Sequence, residues 1–319
     1  MGVLIRIKGA KFVDPYIITT VEVPTCKHVY DDGVVTKTPT CTEDGIITYT
    51  CTLCGATKTE VVPAVAHNYV DGACAVCGKA LPVTIADYPV QDGLQGLYDL
   101  GGTAEASVTN HAQKPTYTPS GGTPKLEGVN EGDIAGNYVT FSGATNGCRL
   151  STYLRIPLVE EGLTYVALFS VTEANGKSDR PIISNCNGSG GVGFRLGNCG
   201  VRYVSNGVAY APPNYTYDTP IVSDKFAILA VTFDANGYRV VRYTNNRIVE
   251  WDAKDTVITD WGGGAIQLGG ESTSSVSTAT AHISLAAVHT GKLTDAQLEE
   301  VCKFVYDYGV QKHGEENIE

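Results

Sequence analysis

Short bursts of apolar-polar alternation dominate the chain from residue 83 onward. They are Tyr138-Val-Thr-Phe, Thr164-Tyr-Val-Ala-Leu-Phe-Ser-Val, Gly191-Val-Gly-Phe-Arg-Leu, Gly200-Val-Arg-Tyr-Val, Phe226-Ala-Ile-Leu-Ala-Val-Thr-Phe, Tyr238-Arg-Val-Val-Arg-Tyr and Ala281-His-Ile-Ser-Leu-Ala-Ala-Val. Alternation at period two is the mark of a strand with one face buried. Turn signals separate the bursts: Asn175-Gly176, Asn187-Gly188, Asn206-Gly207 and Asn236-Gly237. Asn-Gly accepts the positive φ angles of tight hairpins. Many short strands punctuated this way predict a sandwich or barrel over residues 83–319. One segment has helical period instead. In Leu293-Thr-Asp-Ala-Gln-Leu-Glu-Glu-Val-Cys-Lys-Phe-Val-Tyr, Leu298, Val301, Cys302 and Val305 share a face, and Thr294 with Gln297 forms a capping box. This places Cys302 in a core.

Residues 1–24 carry two strand-like runs, Val3/Ile5/Ile7 and Tyr16-Ile-Ile-Thr-Thr-Val-Glu-Val, with Asp14-Pro15 as a turn between them. Two readings stay open: extra strands packed on the next domain, or an extended arm that pairs with another protein. Residues 25–82 are poor in apolar side chains and cannot build much of a core. Leu81-Pro-Val reads as a linker. The expected organisation is therefore an arm (1–24), a small module (25–82) and an all-β domain (83–319).

Charge and composition sharpen this. Of the 319 residues, 23 are Lys or Arg and 34 are Asp or Glu, giving −11. Nearly all of that excess lies in residues 83–319, which hold 16 basic and 26 acidic side chains. Phosphate backbones are bound by Lys and Arg that release counterions, so nucleic acid is not an expected partner. No apolar run reaches the ~20 residues of a membrane-spanning helix, so no membrane insertion is expected. Arg6 and Lys8 interrupt the first apolar run, which does not fit a secretory signal. Synthesis in a reducing cytosol is the expectation, and it favours metal ligation over disulfides for clustered cysteines.

Six of the ten cysteines fall within residues 26–77. Cys51-Thr-Leu-Cys54-Gly and Cys74-Ala-Val-Cys77-Gly have zinc-knuckle spacing. Together with Cys26, His28, Cys41 and His67 they make eight candidate ligands, the number for two four-coordinate structural zinc ions. Chain order suggests His28, Cys41, Cys51 and Cys54 for one site, and His67, Cys74 and Cys77 completed by Cys26 for the other. The alternative is three disulfides with both histidines idle. Cys186 and Cys199 flank a Gly-rich hairpin and are a further pair that could bond.

The wording of this segment resembles zinc-ribbon-type repeats in surface and phage proteins of gut Firmicutes. The matching elements are Cys26-x-His28, Pro39-Thr-Cys41-Thr-Glu-Asp-Gly, Tyr49-Thr-Cys51-x-x-Cys54-Gly, Pro63-Ala-x-Ala-His67 and Gly72-x-Cys74-x-x-Cys77-Gly. The second unit lacks a Pro-Thr-Cys element. In that family the repeat is a small accessory module or spacer. The larger region resembles the concanavalin A-like, laminin-G-like jelly-roll superfamily through Gly93-Leu-Gln-Gly-Leu-Tyr-Asp-Leu, Asn137-Tyr-Val-Thr-Phe-Ser-Gly, Asp224 to Asn246, and the closing helix, which is similar to the end of such domains in phage appendage proteins. The resemblance implies a β-sandwich with a C-terminal helix.

Laminarinase-type hydrolases share that fold and carry Glu-x-Asp-x-x-Glu on a strand. Here the segment reads Glu250-Trp-Asp252-Ala-Lys-Asp255, with Asp in the third place. No Gly-x-Ser-x-Gly elbow accompanies His111, His282 or His289. The expectation is a binding protein, not an enzyme, with His282 and His289 structural. Candidate ligand-binding residues are Tyr203, Tyr210, Asn214, Tyr215 and Tyr217, around Ala211-Pro-Pro-Asn, with Trp251 and Trp261 beside another loop. Rings stack on sugar faces while Asn side chains bond hydroxyls. The competing reading is that these tyrosines cover a sandwich edge or a subunit interface. Calcium is allowed by family analogy, but there is no dense carboxylate run such as an EF loop.

These resemblances imply a structural virion protein, either a tail appendage or a capsid fibre or decoration. It would be assembled in the host cytoplasm, attach to other virion proteins through residues 1–24, form a homotrimer, and bind host-surface or mucus glycans. The alternative is a bacterial cell-surface adhesin with a glycan-binding domain.

Overall fold

The structure is a computed structural model describing residues 26–70, 73–101, 108–130, 133–134, 137–142, 148–157, 160–173, 180–185, 193–197, 200–205, 208–210, 223–258, 264–270 and 279–319. Residues 1–24, with their two expected strands, lie outside the described residues, as do Cys186, Cys199 and the Asn-Gly pairs at 175, 187 and 206. The chain divides into two compact units between Leu81 and Pro82.

In the first unit, β1 (Val34–Lys37), β2 (Gly45–Thr50) and β3 (Thr57–Val62) form a three-stranded antiparallel sheet, and β4 (Tyr69–Val70) pairs with β5 (Ala73–Cys74). The side chains explain why this sheet makes no core. Thr, Lys and Glu alternate along β3, and Val34, Val35 and Val61 stand exposed. Among the described residues of this unit, Cys41, Gly45, Cys51 and Cys74 are the buried positions.

The second unit is a β-sandwich. One sheet runs in the order β17 (Arg247–Asp255), β16 (Gly237–Thr244), β15 (Ser223–Asp234), β10 (Leu163–Glu173), β19 (Ala279–Thr290), β6 (Leu94–Asp99), with β8 (Val139–Phe141) also paired to β19. The other runs β14 (Val208–Tyr210), β13 (Gly200–Ser205), β12 (Phe194–Gly197), β11 (Pro181–Ser184), β18 (Gln267–Leu268), β9 (Arg149–Ser151), β7 (Lys125–Glu127). Every pairing within these sheets is antiparallel. Each strand burst expected from alternation after residue 83 has a strand among the described residues, and the architecture is the all-β sandwich with a C-terminal helix that the sequence implies.

Two hydrophobic layers hold it. Between the sheets lie Tyr165, Ala167, Phe169 and Val171 of β10, Ala227, Leu229, Val231 and Phe233 of β15, and Phe194 and Leu196 of β12. The Phe194 and Phe233 rings stack with centroids 3.6 Å apart. The opposite faces of the same strands, Val166 and Leu168 with Ile228 and Ala230, meet Leu298, Val301, Cys302 and Val305 of the helix α1 (Asp295–His313). Covering a sheet on both faces requires continuous apolar runs, which is why Phe226–Phe233 is so nearly unbroken. The helix starts as the sequence predicts: Gln297 N–H donates to Thr294 Oγ1 at 3.3 Å and Thr294 N–H to Gln297 Oε1 at 3.0 Å. It runs on to His313, past the end of the segment read as helical. The β16–β17 hairpin turns on Asn245 and Asn246, both at positive φ (52° and 58°), the two-residue geometry that matches strand twist.

Candidate metal centres and binding cleft

The first unit gathers all eight predicted ligands into two tetrads. One is Cys26, His28, Cys51 and Cys54; the other is Cys41, His67, Cys74 and Cys77. Within each, the ligand atoms lie within 4.8 Å of one another. Cys26 Sγ is 3.8 Å from Cys51 Sγ, and Cys41 Sγ is 3.7 Å from Cys74 Sγ. A tetrahedral ion with metal–sulfur bonds of ~2.3 Å sets its sulfurs ~3.8 Å apart, whereas a disulfide needs ~2.05 Å. The cysteines of both tetrads are free thiols. His28 Nδ1 stands 3.3 Å from Cys54 Sγ and His67 Nδ1 3.4 Å from Cys77 Sγ. The donor set therefore fits two closed, four-ligand metal sites.

The allotment of ligands differs from the one chain order suggests: Cys26 and Cys41 exchange places. Backbone pairing is the reason. Residues 26–30 run beside the end of β2, where Thr52 N–H donates to Val29 O at 2.8 Å and Tyr30 bridges Cys51. That carries Cys26 as well as His28 to the first knuckle. Cys41, in the β1–β2 connection, is drawn the other way. Val65 N–H donates to Thr40 O at 3.0 Å and Ala64 N–H to Asp44 Oδ1 at 2.7 Å, which sets Cys41 beside the segment leading to His67.

Each knuckle is a tight turn. Gly55 N–H donates to Cys51 O and Gly78 N–H to Cys74 O, with φ of +74° and +73° at the glycines. These φ values strain any residue with a Cβ, which accounts for glycine after both Cys-x-x-Cys pairs. The turn aims amides at sulfur. Burial pushes the Cys51 thiol up, but hydrogen bonds from His28 and from the Leu53 and Cys54 amides outweigh it and bring it to about 5. For Cys74, the Cys77 and Val76 amides hold it at about 5 against burial. The first cysteine of each knuckle is thus poised as thiolate, the form that binds metal. Hydrogen bonding to Cys54 raises Cys26 to about 12, and bonding to Cys77 raises Cys41 to about 11.

In the sandwich, the binding residues expected from sequence fare differently. Tyr203 is 1% exposed and packs in the core against Tyr238. It cannot stack on a ligand, because alternation along β13 turns it inward. Tyr210 and Trp251 fall on β14 and β17, and Asn214, Tyr215, Tyr217 and Trp261 lie outside the described residues. Glu250 is paired with Arg239, its Oε2 3.0 Å from Nε. His289 is structural as expected: fully buried, with Nε2 2.9 Å from Tyr88 Oη and Nδ1 3.4 Å from the Asp92 carbonyl. Burial lowers it to about 4.

His282, by contrast, lines a cleft of about 510 Å³ at the C-terminal end of α1. Tyr138 sets its ring edge-on to His282 at 4.9 Å, and Phe226 stacks on His313 at 3.9 Å. Ser170, Thr172 and Asp224 supply hydroxyl and carboxylate oxygens, and Asn137 and Asn317 supply amides. Burial lowers both imidazoles, His313 to about 4, so they stand neutral at neutral pH. Loop composition does not point to this cleft. Its signal lies in the strands: along one face of β10, Val166 and Leu168 give way to Ser170 and Thr172.

No protein-family model matches the chain, and a search of curated protein sequences finds no match. Solved structures with a similar fold include the ligand binding domain of botulinum neurotoxin serotype D in complex with N-acetylneuraminic acid. It is 10% identical, with a TM-score of 0.45 over 69% of this chain and 53% of that one. The binding domain of Paraclostridial Mosquitocidal Protein 1 is 8% identical, TM-score 0.45, over 68% and 53%. Trypanosoma rangeli sialidase in complex with sialic acid is 12% identical, TM-score 0.43, over 90% and 45%. The chain spans about half the length of these structures.

Proposed function

We propose that the protein is a non-enzymatic glycan-binding protein built from a zinc-held spacer and a recognition sandwich. The observation that carries the reading is the cleft: aromatic rings beside hydroxyl, amide and carboxylate groups, brought together by strands and the end of α1. Sugars present apolar C–H faces and hydroxyls that both donate and accept, and such a lining meets both needs. Zinc is the ion assigned to the tetrads, since thiolate-rich sulfur and nitrogen sets in a tetrahedron select it. Four protein ligands leave no open position for substrate, so the role is structural.

The finer assignment is a phage virion protein, a tail appendage or capsid fibre or decoration. The strand-like runs of residues 1–24 would join other virion proteins, and the sandwich, as a homotrimer, would meet host-surface or mucus glycans. Its support is the sequence resemblance of the Cys/His segment and of the closing helix, together with metal ligation in place of disulfides. The test is a glycan array probed with the intact protein, run beside a hydrolysis assay on the glycans retained. Specific retention without cleavage is expected. Retention of no glycan overturns glycan binding, and cleavage overturns the non-enzymatic reading. Flanking portal, capsid or tail genes would support the virion assignment, and a sortase-anchored surface locus would overturn it.

A further inference from the structure

We propose that the cleft at the C-terminal end of α1 is the sugar site, and that it takes an uncharged glycan end, a neutral hexose or N-acetylhexosamine, in preference to a sialic or uronic acid. This rests on the glycan-binding reading and adds its location and ligand class.

The location follows from how the outer face of the first sheet is divided. Under the helix that face is apolar: Val166 and Leu168, Ile228 and Ala230, Leu285 and Ala287. Beyond His313, where the helix ends, the same strands turn polar at Ser170 and Thr172, at Asp224 and at His282. The boundary between the two halves is aromatic. Phe226, 5% exposed, is covered by the His313 ring, and Tyr138 leans on both Phe226 (5.6 Å) and His282 (4.9 Å). The rim is fixed by hydrogen bonds that tie the helix end to the sheet. His313 Nε2 lies 2.9 Å from Ser284 Oγ, Ser284 Oγ–H donates to Asn137 O at 2.9 Å, and Asn317 Nδ2–H donates to His313 O at 2.7 Å. A volume of about 510 Å³ is in the range of small-molecule sites.

The ligand class follows from charge. Among the described lining residues one cation, Lys312, stands with one anion, Asp224. The Lys312 ammonium sits 5.3 Å from the centre of the Tyr308 ring, held by its π face. Recognition of a carboxylate favours a bidentate arginine or paired cations, and residues 83–319 carry a net −10. Neutral hydroxyls suit Asp224, Ser170 and Thr172 without bringing a second negative charge into that field.

The test uses the intact protein, wild type, Asp224→Asn and Tyr138→Ala, on an array holding neutral and sialylated or uronic-acid glycans, with calorimetry on the best neutral binder. Asp224 is exposed, so its substitution keeps the question open should Tyr138→Ala fail to fold. Retention of neutral glycans that Asp224→Asn weakens by ~10-fold or more, the loss of one charged hydrogen bond, is the expected result. Retention confined to acidic glycans overturns the ligand class. Neutral binding untouched by Asp224→Asn and by a folded Tyr138→Ala overturns the location while glycan binding stands. Retention of nothing overturns both.

Discussion

The two units solve the problem of folding by opposite means. The sandwich buries two layers of side chains, one between its sheets and one under α1. In the first unit, three of the four buried described residues are cysteines of the two candidate metal tetrads and the fourth is a glycine. Its valines and its β3 threonines face water, so little hydrophobic free energy is available to order the chain. The same chain thus holds one unit whose stability is spread over dozens of side chains and one that is expected to draw its stability from eight candidate ligand atoms.

The largest effect that sharpens this contrast is metal removal. Structural zinc in small modules supplies on the order of 10–16 kcal/mol. A strong chelator is expected to leave residues 26–81 open to protease while a fragment beginning near Pro82 survives. Equal survival of both units would break the comparison, and elemental analysis well under two metal ions per chain would sink the two-site arrangement.

A smaller perturbation tests how the ligands are shared. Cys41→Ser is expected to spoil the tetrad of His67, Cys74 and Cys77 and leave Cys26, His28, Cys51 and Cys54 able to hold one ion. Cobalt substitution with absorption titration reads this directly. If the surviving chromophore of Cys41→Ser were instead lost on adding His67→Ala, chain order and not backbone pairing would have set the allotment.

The sandwich has its own weak points, of ordinary size. His289 titrates at about 4 when folded, against ~6.5 when unfolded. The unfolded state therefore binds the extra proton first as pH falls. Stability is full above pH ~6.5 and declines towards pH 4, by on the order of 3 kcal/mol. His313, also lowered to about 4, acts in the same sense. Denaturant melts of the sandwich from pH 7 to 4 should show this slope, and His289→Gln should flatten it. An unchanged slope would remove His289 from the account. Smallest is the helix cap: Thr294→Ala is expected to cost ~1 kcal/mol, visible as a lowered denaturation midpoint with metal content unchanged.

How far the sequence disclosed all this depends on the range of the forces involved. The strands of the sandwich follow from local alternation, and the start of α1 from a three-residue capping relation. Four of the eight candidate ligands follow from Cys-x-x-Cys spacing before two glycines, and Cys26, His28, Cys41 and His67 from their nearness to those pairs in the sequence. The exchange of Cys26 and Cys41 does not, because it is decided by hydrogen bonds between segments 20 or more residues apart, such as Ala64 N–H to Asp44. The cleft is non-local in the same way. Asp224 and His282 come from two strands, Tyr138 from the residue before β8 and His313 from the helix end, and the register of β8, β10, β15 and β19 brings them together. Tyr203 shows the reverse case: a tyrosine near a proline-rich loop suggests a surface, yet the period of β13 places it inside.

The allotment of ligands also sets an order in time. Cys41 lies inside the stretch closed by His28 and Cys51, yet its own partners are His67, Cys74 and Cys77. A chain emerging from the N-terminus completes its first tetrad at Cys54, and Cys41 then waits inside a closed loop until Cys77 arrives. The two ligand sets interleave along the chain, so closing the second tetrad is expected to depend on a residue held within the span of the first.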